Sequence, residues 1–103
     1  MILNVSGKTI ESPTASDIQQ AISNLQDNAD SFVILSLGEM TYLQCIGDSS
    51  VGYIVEYQEG STDQHFTTKD GHIDTSRTLT IFKMYADQNP DWKNQTSWEK
   101  MSW

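Results

Sequence analysis

"SFVILSLGEMTYLQCIGDSSVGYIVEYQEGSTDQHFTT", residues 31–68, decides the fold. Four runs of strand-forming residues lie in it, at 31–37, 40–46, 52–58 and 63–68, with short Gly-containing spacers between them. Parallel neighbours need a long crossover, so spacers this short make consecutive strands antiparallel, as a meander. Two of the spacers also suggest a register. Gly38-Glu39 and Gly60-Ser61 each fit a two-residue hairpin turn with glycine first. The first turn pairs Leu35 with Tyr42 and Ile34 with Leu43, and the second pairs Tyr57 with Gln64 and Glu56 with His65. A loop over 47–51 pairs Tyr42 with Glu56 and Leu43 with Val55.

Side chains alternate along a strand, so these registers predict two faces. One is a core face of Phe32, Ile34, Leu43, Cys45, Tyr53, Val55 and Phe66. The other carries Val33, Leu35, Tyr42, Ile54, Glu56 and His65. On this second face Glu56 and His65 are cross-strand neighbours. The mixture is too apolar for ordinary surface, so the face either binds something or lies under the N-terminal segment.

The flanking sequence supplies the helices. Thr14 precedes Asp17 in the pattern of a capping box, and Ile18, Ala21, Ile22 and Leu25 then recur at helical spacing, which predicts a helix over 15–28. "DTSRTLTIFKMYADQNP" (74–90) has Thr and Ile content that suits a strand, but Asp74 or Thr75 suits a helix cap, and Thr78, Phe82 and Tyr85 share a helical face. We read it as helix, ended at Pro90. "MILNV" reads as a short strand and "TSWEKMSW" as a closing one, with Trp98 as the buried tryptophan and Trp92 and Trp103 exposed. The expectation is one α+β domain over residues 1–103, with an antiparallel sheet of four to six strands packed on two α-helices.

Charge narrows the partners. The net charge is −8, and no Lys or Arg stands between Lys8 and Lys69. Nine acids fill that interval, among them Glu39, Asp48, Glu56, Glu59 and Asp63. Such a block casts a negative potential, which disfavours nucleic acid and favours a basic partner. Solubility alone also accounts for many acidic compositions. No apolar run is long enough to span a membrane, the start lacks a secretory pattern, and Cys45 is a lone cysteine. A cytoplasmic location is the expectation.

Candidate chemistry is sparse. Glu56 could orient His65 as a general base, yet no nucleophile motif accompanies them and Cys45 falls on the other face. A cross-strand polar pair is the simpler reading. His65 and His72 match no metal-site spacing, and no glycine-rich phosphate loop is present. No cofactor, no metal and no enzymatic activity are therefore expected. The alternative kept open is a small ligand-binding domain or enzyme using Glu56 and His65. A homodimer through the mixed sheet face also stays open.

The order of features resembles a known family. The run from 31 to 68 after a helix, then "FKMYADQNPDW" with Phe82 and Tyr85, then "SWEK", is similar to the Imm1 family of bacterial immunity proteins. The likeness covers roughly residues 15–101 and includes the Glu56-Tyr57 and His65-Phe66 steps. Members often carry a more acidic helix where this chain has "TSRTLTIFKMY". The resemblance implies an α+β fold and a protein that binds and neutralises a polymorphic toxin, often a nuclease or nucleic-acid deaminase. On that reading the partner is a cognate basic toxin domain. Glu39, Asp48, Glu59 and Asp63 would steer it, and Glu56, His65 and Trp92 would be candidate contacts.

Overall fold

In a computed structural model that describes residues 1–69 and 71–101, the chain is α+β, with a seven-stranded antiparallel open sheet. The elements in chain order are β1 (Ile2–Val5), β2 (Lys8–Glu11), α1 (Ala15–Ser23), β3 (Val33–Gly38), β4 (Thr41–Asp48), β5 (Gly52–Glu59), β6 (His65–Thr68), α2 (Thr75–Ala86) and β7 (Trp98–Lys100). A single 3-10 turn covers Thr62–Gln64, and a two-turn 3-10 segment covers Pro90–Gln95. The sheet order is β2-β1-β3-β4-β5-β6-β7, so the expected meander holds from β3 onward. The expected strand count falls short because the N-terminus is a hairpin. "SG" at 6–7 turns the chain, with both residues at positive φ and the Gly7 amide donating to Asn4 Oδ1.

Both helices start where their caps place them. The Thr14 hydroxyl accepts from the Asp17 amide, and the Asp17 carboxylate accepts from the Thr14 amide, which is the predicted capping box. Asp74 accepts from the Arg77 amide and opens α2, so 74–90 begins as a helix. The first helix is shorter than expected, but a turn after it (Leu25 amide to Ile22 carbonyl) keeps Leu25 in the core.

α1, α2 and the 90–95 turn pack on one face of the sheet. Ile18, Ile22, Ile81, Phe82, Tyr85 and Trp92 meet Leu3, Val33, Leu35, Leu43, Cys45, Tyr53, Val55 and Tyr57 in one cluster. The Tyr53 hydroxyl donates to the Ile22 carbonyl at 3.1 Å, tying sheet to helix.

The predicted faces are right for β4 and β5 and inverted for β3. Val33 and Leu35 are fully buried, whereas Ile34 lies half-buried on the opposite face and Phe32 precedes the strand. The cause is a one-residue slip. Leu35 pairs with Leu43, not Tyr42, because the chain between Ser36 and Thr41 carries a bulge rather than the two-residue turn. A one-residue slip exchanges every side chain across a strand. The other two registers are off by two, which preserves the faces: Tyr42 pairs with Gln58, and Gln58 with His65. The extra residues at the β5–β6 connection go into the 3-10 turn at Thr62–Gln64.

The tryptophan assignment is also corrected. Trp92 is buried and Trp98 only partly so. The 90–95 turn, with Pro90 at its start and capped by Asn89, lays the Trp92 ring edge-on to Tyr57 at 4.8 Å and Tyr85 at 5.1 Å. Trp98 stands on the edge strand β7, where less chain covers it. The expectation for Trp103 falls outside the described residues.

Leu43→Ala should destabilise by roughly 2–5 kcal/mol, as for a buried Leu leaving a cavity. Ile34→Ala should cost much less. Denaturant unfolding of both variants checks the assignment, and equal losses would contradict it.

Candidate functional site

The face away from the helices is built by alternation. Its cross-strand rows follow from the pairing. One runs Thr9–Asn4–Ile34–Gln44–Glu56–Thr67–Glu99, and a second runs Glu11–Ile2–Ser36–Tyr42–Gln58–His65. Ile46 and Ile54 form a third, short row. Ile2 and Ile46 are exposed, and Ile34, Tyr42 and Ile54 are half-buried.

His65 is the centre of this face. It is 3% exposed although no helix of the described residues covers that side, so its polar atoms need protein partners. Gln58, directly opposite, supplies one. Its Nε2 donates to the Met40 carbonyl, which turns Oε1 toward the Tyr42 hydroxyl at 3.3 Å and His65 Nδ1 at 3.0 Å. Glu56, two residues along and therefore diagonal, places Oε1 2.7 Å from His65 Nε2. The same oxygen accepts from Gln44 Nε2 at 3.3 Å. The Tyr42 ring meets the imidazole edge-on at 6.1 Å. Both ring nitrogens therefore face side-chain oxygens, one from Gln58 and one from Glu56.

This arrangement braces the sheet. A general base presents a ring nitrogen to its substrate. In His65 each nitrogen already faces a protein oxygen. Cys45 lies on the helix side of the sheet, and burial pushes its thiol well above the ordinary range, so it is held as the unreactive thiol. The network instead ties β4, β5, β6 and the turn at Met40 into one plane.

The other predicted residues separate into two groups. The Gly60 amide bonds to the Met40 carbonyl, which sets the turn bearing Glu39 beside Glu59 at one end of the sheet. Exposed Asp63 follows in the adjacent 3-10 turn, and Trp92 reaches the same end. Asp48 is the last residue of β4, at the opposite end, where the chain enters the β4–β5 connection. Its carboxylate is occupied: Oδ1 accepts from the Ser50 and Val51 amides at 2.9 Å and from the Ser50 hydroxyl at 2.8 Å. The Val51 amide, then the Ser50 hydroxyl, hold it below the usual carboxylate range. Glu59 is occupied too, with Lys93 Nζ at 2.8 and 2.9 Å from its two oxygens. Thus Asp48 closes a loop, and Glu59 carries its own counter-ion.

Sequence reasoning missed Gln44, Gln58 and Lys93. Gln58 was legible, since it shares its face with Ile54 and Glu56 by alternation. Gln44 needed the two-residue correction in register, and the Lys93–Glu59 pair spans 34 residues with no local signal. Among the described residues, no three His, Cys, Asp or Glu side chains gather as a metal site. No helix of the described residues is long and apolar enough to cross a membrane. No protein-family model matches the chain, and neither a curated protein nor a solved structure shows significant similarity to it.

Two outcomes are expected. A double-mutant cycle on Glu56→Gln and His65→Gln should give a coupling energy of about 0.5–3 kcal/mol in denaturant unfolding, and additivity would remove the brace. Asp48 has its folded value below the unfolded one, near 3.9 for a free Asp. Its contribution is full above that range and is lost as pH falls through the lowered value. The stability gap between wild type and Asp48→Asn should therefore close in acid, and a gap that persists would contradict the loop role.

Proposed function

We propose that this chain is a binding protein that neutralises a basic toxin domain, docked on the uncovered face of the sheet. One observation carries the reading. The strand positions of that face hold Glu11, Asp48, Glu56 and Glu99 with no Lys or Arg, around the apolar residues Ile34, Tyr42, Ile46 and Ile54. Arg77, Lys83 and Lys93 belong to the helical layer on the other side. An uncovered apolar patch rimmed by charge of one sign suits a protein partner of opposite sign.

The toxin part of the reading rests on the likeness to Imm1 proteins, and the charge is consistent with it. A nuclease or nucleic-acid deaminase needs a basic groove for its own substrate, and an acidic face competes for that groove. Glu39 and Asp63, exposed at one end of the sheet, add to the field. The neutraliser would act in the cytoplasm, where such a toxin meets its target. An enzymatic role for Glu56 and His65 is less well supported, because it would require breaking one of the two ring contacts.

The test takes a candidate toxin domain from a search of the neighbouring genes and co-expresses it with this chain, scored as survival and followed by binding measured across salt. Rescue is expected, with affinity falling steeply as salt rises. Glu11→Gln with Glu99→Gln should slow association and flatten the salt dependence. Ile46→Lys should cost about 2 kcal/mol or more in binding, as for a desolvated contact replaced by a repelled charge. No rescue, or no complex at low salt, would overturn the function. Unchanged affinity of Ile46→Lys would move the interface off this face.

A further inference from the structure

The end of the sheet near Glu59 holds a second feature. A cleft of about 260 Å³ opens there, lined by Leu37, Glu59, Tyr85, Pro90, Trp92 and Lys93. The Lys93 ammonium lies 5.5 Å from the ring centroids of both Tyr57 and Trp92 while both Glu59 oxygens hold it. Two aromatic rings and a carboxylate around a cation are the elements of a cation-binding cage. Lys93 therefore occupies, from within the chain, a place suited to an external cation.

Its hold is weak. The Lys93 and Glu59 side chains are 42% and 44% exposed, so water screens the pair and its exchange for another cation is nearly neutral. Beside it, the buried Tyr85 hydroxyl has no hydrogen-bond partner among the described residues. Lys93 leaves this group unmet. A buried polar atom without a partner is a local deficit that a suitable donor removes.

We propose that this cleft captures an arginine side chain of the basic partner, with Lys93 as the displaceable occupant. Guanidinium fits better than ammonium. It is planar, stacks on an aromatic face, forks onto a carboxylate and keeps further N–H groups to spare. The fork engages Glu59, the plane lies on Trp92, and a remaining N–H reaches the Tyr85 oxygen. Lys93 swings out to water. The inference rests on the reading above of a basic partner, and it places an anchor at the end of the sheet on the helical side, where α2 and the 90–95 segment pack.

The site is testable without any partner. N-acetyl-arginine amide is titrated into the protein while the Trp92 indole N–H is followed by NMR, with the uncharged N-acetyl-citrulline amide as control. The arginine probe should shift the indole resonance and citrulline should not. Lys93→Met removes the competitor and should tighten the arginine probe by up to about fivefold, the equivalent of one exposed ion pair. Glu59→Gln should abolish binding. Both substitutions change exposed side chains, and the amide spectrum verifies the fold. Equal binding of citrulline, retained binding in Glu59→Gln, or no gain in Lys93→Met would overturn the site. Such a failure leaves toxin neutralisation standing, whereas failed rescue beside a positive titration removes the partner and keeps the site.

Discussion

A sheet that the described residues cover with helices on only one face constrains everything else in this molecule. Alternation sends Val33, Leu35, Leu43, Cys45, Val55 and Tyr57 under α1, α2 and the 90–95 turn. The same alternation forces Ile34, Tyr42, Gln44, Ile46, Ile54, Glu56 and Gln58 to the side without helices. The second set cannot be chosen for burial alone, so it is where polar groups and function can be placed. Fully buried Leu43 and half-exposed Gln44 are adjacent in sequence and belong to different problems.

The two faces solve the problem of order differently. The helical side relies on apolar burial and on an aromatic group in which Tyr57 stacks on Phe66 at 4.9 Å and meets Trp92 and Trp98 edge-on. The uncovered side relies on directed hydrogen bonds around His65. Directional contacts of this kind hold Tyr42, Gln44, Glu56 and Gln58 in fixed positions without a covering layer. A surface ordered before its partner arrives loses less conformational entropy on binding. The brace at His65 and the proposed role of the face are therefore connected: the network orders the surface on which the neighbouring isoleucines are presented.

Much of this was legible in the sequence, and the misses have identifiable causes. Thr14-Asp17 and Asp74 announced both helix starts because capping is local. Glu56 and His65 were placed on one face because an error of two residues leaves faces unchanged. The inversion of β3 arose where a bulge replaced the simple turn near Gly38, a feature that the residues 36–41 do not announce. "KTIE" was overlooked because it is short and exposed along its whole length, so it lacks an apolar rhythm. Trp92 reads as exposed from the sequence because its burial depends on a 3-10 turn folding back onto β5. The occupied states of Asp48 and Glu59 differ in the same way: a loop three residues long is readable, whereas an ion pair between distant segments is not.

The uncovered face as the docking surface is the central claim, and isoleucine methyl NMR tests it most directly. Ile34, Ile46 and Ile54 report on that face, and Ile18, Ile22 and Ile81 report on the helical side. On titration with a candidate basic toxin domain whose toxicity this chain suppresses in co-expression, the first three methyl signals should shift or broaden at substoichiometric ratios while the second three stay in place. Perturbation confined to Ile18, Ile22 and Ile81 would contradict the claim.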